Sequence, residues 1–188
     1  MDAWVWILLA VVARVVGGAV VWYMLRERRT AQLKEGFGPE YERTVRETGD
    51  RRDAEARLTE RRERREELDV RPLSPAARDR YAERWRKVQA DFVDEPAGAV
   101  AEADALVQEV MHERGYPMDD FEAQAELVSV DHADVVHHYR EGHDIHERYG
   151  RGDASTEDLR QAMKHYRALF EDLLETDESA ERERQEVR

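Results

Sequence analysis

The sequence predicts an all-α protein with a single N-terminal transmembrane helix, a charged helical neck and a compact bundle of about five helices. Apolar residues recur at helical spacing through the second half of the chain, and no stretch alternates apolar and polar residues for long enough to form a strand. Ten glycines and five prolines in 188 residues are too few for a turn-rich β fold. The length allows one globular domain with appendages.

The first element is an apolar run over residues 3–25. As a helix it would be about 35 Å long, enough to cross a hydrocarbon core of about 30 Å. Trp4 and Trp6 lie near its start and Trp22 near its end, as interfacial aromatic residues do. Basic residues follow the run and none precedes it, which predicts a cell-membrane protein with its C-terminal part in the cytoplasm. Export after signal-peptide cleavage is the alternative.

Arg14 interrupts this run at its middle. Gly17 and Gly18 share its helix face, and such small residues let a second helix approach closely. The pattern therefore allows Arg14, Gly17 and Gly18 to contact a partner, including a second copy of the chain. The alternative is a lone span whose arginine reaches toward the interface or draws in water.

The neck, over residues 26–73, carries fourteen basic and thirteen acidic residues. It begins with a hinge at residues 36–39, where two glycines precede Pro39. Thirteen of the seventeen residues over 51–67 are charged, and their apolar positions are too sparse for a coiled-coil seam. We expect a solvated stalk helix here. Interleaved glutamates neutralise the arginines at 61–65, which argues against nucleic-acid binding.

Residues 74–188 contain 29 acidic and 15 basic residues, a net charge of −14. This balance also excludes a surface built for phosphate backbones. Apolar stripes predict five helices between residues 74 and 175, and the last residues, 176–188, are too polar to pack and should be disordered. The predicted domains are 1–29 (anchor and basic flank), 30–73 (neck), 74–175 (acidic bundle) and 176–188 (tail).

Capping residues predict where the five bundle helices begin and end. Helix starts are marked by side chains that accept backbone hydrogen bonds, and helix ends by glycine. The predicted boundaries are Ser74 with Pro75 for the first helix, Gly115 for the end of the second, Asp119 with Glu122 for the third, Asp131 to Gly150 for the fourth, and Ser155 with Asp158 for the fifth.

Six of the seven histidines fall between residues 132 and 165. Helical spacing places His143, His146 and Glu147 close together, and a zinc ion would need a further ligand, for which His165 on the next helix is the candidate. These residues are the candidate metal ligands, with zinc or haem as the cofactor. The alternative is that the histidines pack and form hydrogen bonds, and that the protein has no cofactor.

The sequence contains no catalytic pattern. It has no cysteine, nucleophile elbow, phosphate-binding loop or zinc-protease spacing. We therefore expect a non-enzymatic protein-interaction or scaffold module at the inner face of the membrane, with an unknown protein partner. The alternative function is a metal- or haem-binding sensor that uses the histidine-rich helix over residues 132–149.

Several segments resemble an uncharacterised bacterial family of membrane-anchored helical proteins. They are FGPEYERTV, GDRRDAEARL, WRKVQADFVDEP, VMHERGYP and ASTEDLRQAMKHYRALFEDLL, and the likeness runs from about Leu33 to Leu174. The resemblance implies an N-terminal apolar helix followed by a helical region. It implies no activity, and Arg14 departs from the uninterrupted apolar span that the family would carry.

Overall fold

A computed structural model describes residues 3–118 and 120–186. Side chains are described at positions 14, 16–18, 21, 23 and 24, and from position 26 to 175 except at 119. These residues form helices and no strand, which confirms the all-α expectation for them. The helices are α1 (Ala3–Thr48), α2 (Arg51–Glu66), α3 (Pro75–Asp91), α4 (Pro96–Arg114), α5 (Phe121–Asp131), α6 (Val136–Gly150) and α7 (Thr156–Glu186).

The expected transmembrane helix over residues 3–25 is contradicted. Within the described part of the chain, no helix is both long enough and apolar enough to cross a membrane. Among the side chains that the structure describes in this stretch, Arg14 carries a full charge, and Gly17 and Gly18 provide no apolar side chain. The helix then continues into the charged neck. The side chains of the three expected interfacial tryptophans lie outside the described residues. The predicted orientation depended on this span and stays an untested prediction.

Residue contacts divide the chain into two compact units, Met1–Leu58 and Thr59–Arg188. The division falls inside the neck, within α2. In the first unit, α1 is broken at Gly38, whose φ of 44° and ψ of −123° are not helical. This break lies in the hinge expected from the sequence, directly before Pro39. Buried apolar side chains of this unit are Leu33, Phe37, Tyr41, Ala54 and Leu58.

Helix α2 differs from the solvated stalk that its composition predicted. Ala54 and Leu58 are fully buried, and the guanidinium of Arg61 is also shielded from solvent. Arg61 contacts Glu126 on α5, with 2.5 Å between nitrogen and carboxylate oxygen. Two apolar residues four positions apart are enough for one turn to pack, even where most neighbouring residues are charged.

The second unit, Thr59–Arg188, has one continuous apolar core. Helix α7 packs along both α6 and α4, and α3 packs along α4. Trp85 of α3 stacks on Phe170 of α7 with 4.6 Å between ring centroids. The fully buried residues of α4 include Val100, Leu106 and Val110. The α6–α7 pair at one side of this core positions the candidate site.

Several bundle boundaries follow the predicted caps. Ser74 Oγ accepts a hydrogen bond from the Ala77 amide, and Pro75 is the first helical residue of α3. Gly115 ends α4 in a left-handed conformation with φ of 104°. Ser155 and Asp158 form the reciprocal contacts of a capping box at the start of α7.

The predicted boundary at Asp131 is wrong, and the one at Asp119 lies outside the residues that the structure describes. Asp131 is the last residue of α5 and does not cap α6, because its carboxylate accepts a hydrogen bond from the Tyr116 hydroxyl at 2.5 Å and contacts Arg65. Asp119 lies outside the described residues, and Asp120 caps α5 by accepting from the Ala123 amide. Helix α7 includes residues 176–186 of the predicted tail.

Candidate metal centre

Three metal-ligating groups meet where α6 packs on α7. His138 and Glu141 lie three residues apart on α6, and His165 faces them from α7. One ligand atom from each lies within 4.8 Å of the others. No other group of three histidine, aspartate or glutamate side chains in the described part of the chain meets this spacing.

The closest contact in the cluster joins two imidazoles. His138 Nδ1 lies 2.9 Å from His165 Nδ1, and His165 Nδ1 lies 3.3 Å from Glu141 Oε2. Two neutral imidazoles at this distance share one hydrogen bond, with one ring donating and the other accepting. His165 Nδ1 is therefore the atom that faces both of the other groups.

Glycine at position 142 explains why the two helices come so close. A Cβ atom added to Gly142 would lie 3.3 Å from the ring of Tyr166, a contact so tight that the ring or α6 would have to shift by a few tenths of an ångström. Tyr166 is fully buried and lies edge-on to Tyr139, with 6.3 Å between ring centroids. Gly142 follows Glu141, and Tyr166 follows His165. The close helix approach therefore brings the ligand groups together.

Burial and neighbouring charges keep both imidazoles neutral near pH 7. Burial is the largest cause that lowers the pKa of His138, and the nearby His137 and His165 lower it further. Burial also lowers the pKa of His165, and His137 and Lys164 act in the same direction against the opposing effect of Glu141. A neutral imidazole is the form that binds a metal ion.

The cluster is open to solvent on one side. The side chain of Glu141 is 57% exposed, and that of His165 is 21% exposed. An ion can therefore reach the imidazole nitrogens from solution. The strongly acidic character of residues 74–188 favours the approach of cations.

The structure brings one of the four sequence-predicted ligands, His165, into this cluster. His143 instead stacks on Phe121, with 3.7 Å between centroids and 10° between ring planes. The Nε2 atom of His143 lies 3.6 Å from a carboxylate oxygen of Glu147, one turn further along α6. His146 is half-buried on the same helix and belongs to no described group of three ligands.

His138 and Glu141 were missed in the sequence. Their i, i+3 spacing was visible, and such a pair lies on one helix face. The pairing with His165 depends on how α7 is aligned with α6, which helical periodicity does not determine.

His132 has a structural role in a buried polar network. Its side chain is 1% exposed and its Nδ1 contacts the carboxylate of Asp172 on α7. Its Nε2 lies 3.5 Å from Arg114, and Arg114 donates to the Leu173 carbonyl at 2.9 Å. These contacts satisfy groups that would be costly to bury alone.

Arg14, Gly17 and Gly18 are exposed in α1. A Cβ atom added at either glycine would meet no atom within 4 Å. Nothing tests their predicted contact with a partner or a second copy, which stays a prediction.

Comparisons with protein-family models, curated proteins and solved structures found no match. The resemblance to a membrane-anchored bacterial family therefore stays a prediction.

Proposed function

We propose that the unit Thr59–Arg188 is a non-catalytic helical module that binds one zinc ion between α6 and α7. His138, Glu141 and His165 are its ligands. The single observation that supports this proposal is the 2.9 Å contact between the two Nδ1 atoms, with the Glu141 carboxylate beside them. Ligand atoms of a tetrahedral zinc ion lie about 3.3 Å apart, close to these distances.

The donor set favours zinc over haem. Two imidazoles and one carboxylate are ligands that zinc accepts in proteins. A haem with two axial histidines holds their nitrogens on opposite faces of the porphyrin. His138 Nδ1 and His165 Nδ1 face each other at 2.9 Å, which leaves no room for a porphyrin between them.

An ion in this position would crosslink α6 to α7. Because these ligands come together only in the folded unit, zinc would stabilise it by about 2.7 kcal/mol at a free concentration 100 times the Kd. The biological role that follows is control of the rigidity of the bundle by the metal.

The test is isothermal titration of the tag-free full chain with zinc chloride. We expect one zinc ion per chain and a loss of affinity greater than about 100-fold in His138→Ala and His165→Ala. The double variant His143→Ala/His146→Ala is the matched control from the same helix and should bind zinc like the wild type. A wild-type chain that takes up no zinc, or a loss confined to the double variant, would refute the proposal.

Binding of a basic protein partner is the second candidate function. The observation that favours it is Val93, which is 82% exposed between α3 and α4. The neighbouring residues Asp91, Asp94 and Glu95 line a cleft of about 500 Å³, together with Glu102 and the basic residues Arg84 and Lys87. The four carboxylates outnumber the two cations, and an exposed apolar side chain next to them in the sequence suits a basic surface with an apolar contact.

Site-specific photo-crosslinking in cells tests this second candidate. A crosslinker at position 93 should give a discrete adduct. The same crosslinker at position 151, exposed in the turn between α6 and α7, is the control. Equal labelling at both positions, or none at position 93, would count against partner binding at the cleft.

A further inference from the structure

Three ligands leave a tetrahedral zinc ion with one open position. A fourth protein ligand would make a closed structural site, whereas water would leave the site open. His137 stands next to His138 on α6, and the centroids of the two rings lie 3.9 Å apart. A further imidazole is therefore already beside the first ligand.

The imidazole of His137 has a buried nitrogen that the fold does not satisfy. Its Nδ1 is shielded from solvent and has no hydrogen-bond partner within residues 3–118 and 120–186. A buried polar atom without a partner costs about 1–3 kcal/mol, and native proteins contain few of them. A metal ion at the adjacent cluster would supply a partner.

His137 is next to a ligand that already contacts α7, because Nδ1 of His138 lies 2.9 Å from Nδ1 of His165. Its ring is not among the groups whose ligand atoms lie within 4.8 Å of one another. A change of side-chain rotamer is therefore needed before it can reach the ion.

We propose that His137 is the fourth ligand of the zinc ion, an assignment that rests on the zinc site proposed above. The ring turns toward the ion and binds as a neutral imidazole through a nitrogen lone pair. No covalent bond of the chain breaks and no electron is transferred. The resulting set of three histidines and one glutamate closes the site to exchangeable water.

The test replaces zinc with Co²⁺, whose visible spectrum changes with pH when a bound water molecule ionises and does not change when all four ligands come from the protein. The tag-free full chain, His137→Ala and the control His146→Ala are titrated with cobalt chloride. We expect a tetrahedral spectrum that does not change with pH in the wild type and the control. His137→Ala should bind Co²⁺ with about 10- to 100-fold lower affinity and give a spectrum that changes with pH as the bound water ionises, and added imidazole should remove that change.

The outcomes separate this inference from the proposed function. A spectrum of His137→Ala that is as independent of pH as that of the wild type, or a pH-dependent spectrum in the wild type itself, overturns the assignment of His137 and leaves the three-ligand site intact. A wild-type chain that binds no Co²⁺ and no zinc overturns both. If circular dichroism shows that His137→Ala does not fold, His137→Gln is titrated in its place and judged by the same outcomes.

Discussion

Gly142 of α6 lies directly against the ring of Tyr166 on α7, so that a Cβ atom at position 142 would stand 3.3 Å from it. Tyr166 is fully buried, and its ring lies edge-on to that of Tyr139. This contact sets the spacing of the two helices next to Glu141 and His165. The candidate metal centre therefore depends on a residue that binds nothing itself.

We expect Gly142→Ala to lower the free energy of unfolding by about 1–2 kcal/mol. The added methyl group overpacks the helix interface, and the better helix propensity of alanine offsets only part of that cost. Zinc affinity should fall as well, because α6 moves away from α7. Urea denaturation and zinc titration measure the two effects.

Gly150→Ala is the matched control for this prediction. A Cβ atom at Gly150, also in α6, meets no atom within 4 Å. We expect unchanged or slightly higher stability and unchanged zinc binding. If both alanine variants behave alike, the close approach at Gly142 is not what holds the helices in place.

Gly115 combines a left-handed backbone with a close contact. Its φ is 104°, and a Cβ atom there would lie 2.6 Å from the Asp69 carbonyl oxygen. We expect Gly115→Ala to cost about 3 kcal/mol or more, from backbone strain and a steric clash together. Gly152 has φ of 83° and no atom near its Cβ position, so Gly152→Ala should cost only about 1–2 kcal/mol. Equal losses in urea denaturation would mean that the contact with Asp69 is unimportant.

Glu55 makes the stability of the unit Met1–Leu58 depend on pH. Its carboxylate accepts hydrogen bonds from Thr30 at 2.9 Å, and from Tyr41 and Arg51 at 3.0 Å each. Burial raises the pKa of Glu55, but these donors outweigh it, so that the pKa of Glu55 is lowered overall. The stabilisation is therefore present above the unfolded-state pKa of about 4.3 and is lost as the pH falls through the lower folded-state value.

We expect Glu55→Gln to destabilise this unit by about 1–2 kcal/mol at pH 7 and by much less at pH 3. Native-state hydrogen exchange of the amides over residues 41–58 measures the difference. Glu60→Gln is the control on α2, because Glu60 is 66% exposed and its contact with Arg64 is 3.9 Å long. A difference between wild type and Glu55→Gln that stays constant from pH 7 to pH 3 would contradict the role given to the charge.

Local signals predicted much of the bundle. Ser74 and Gly115 work as caps because their effects depend only on backbone geometry within one turn. Asp131 also has a side chain typical of a helix start, but its carboxylate contacts Tyr116 and Arg65 instead, and Asp131 is the last residue of α5. A capping residue is ambiguous wherever distant side chains compete for it.

The metal cluster could be predicted only in part. His165 was expected to join a site with residues of α6, but helical periodicity alone selected His143 and His146. His143 stacks on Phe121 in the structure, and His138 takes the position facing His165. The choice between two histidines of one helix depends on the alignment of α6 and α7, which Gly142 and Tyr166 set across the interface.

The most direct test of the zinc site is a nuclear magnetic resonance measurement on the ¹⁵N-labelled full chain. Long-range proton–nitrogen correlation spectra distinguish the two nitrogens of each imidazole before and after one equivalent of zinc is added. After zinc is added, we expect the Nδ1 chemical shifts of His138 and His165 to change to values typical of a metal-bound nitrogen. Each ring should then carry its proton on Nε2. Zinc-induced shifts at His143 and His146, with His138 and His165 unchanged, would contradict the account.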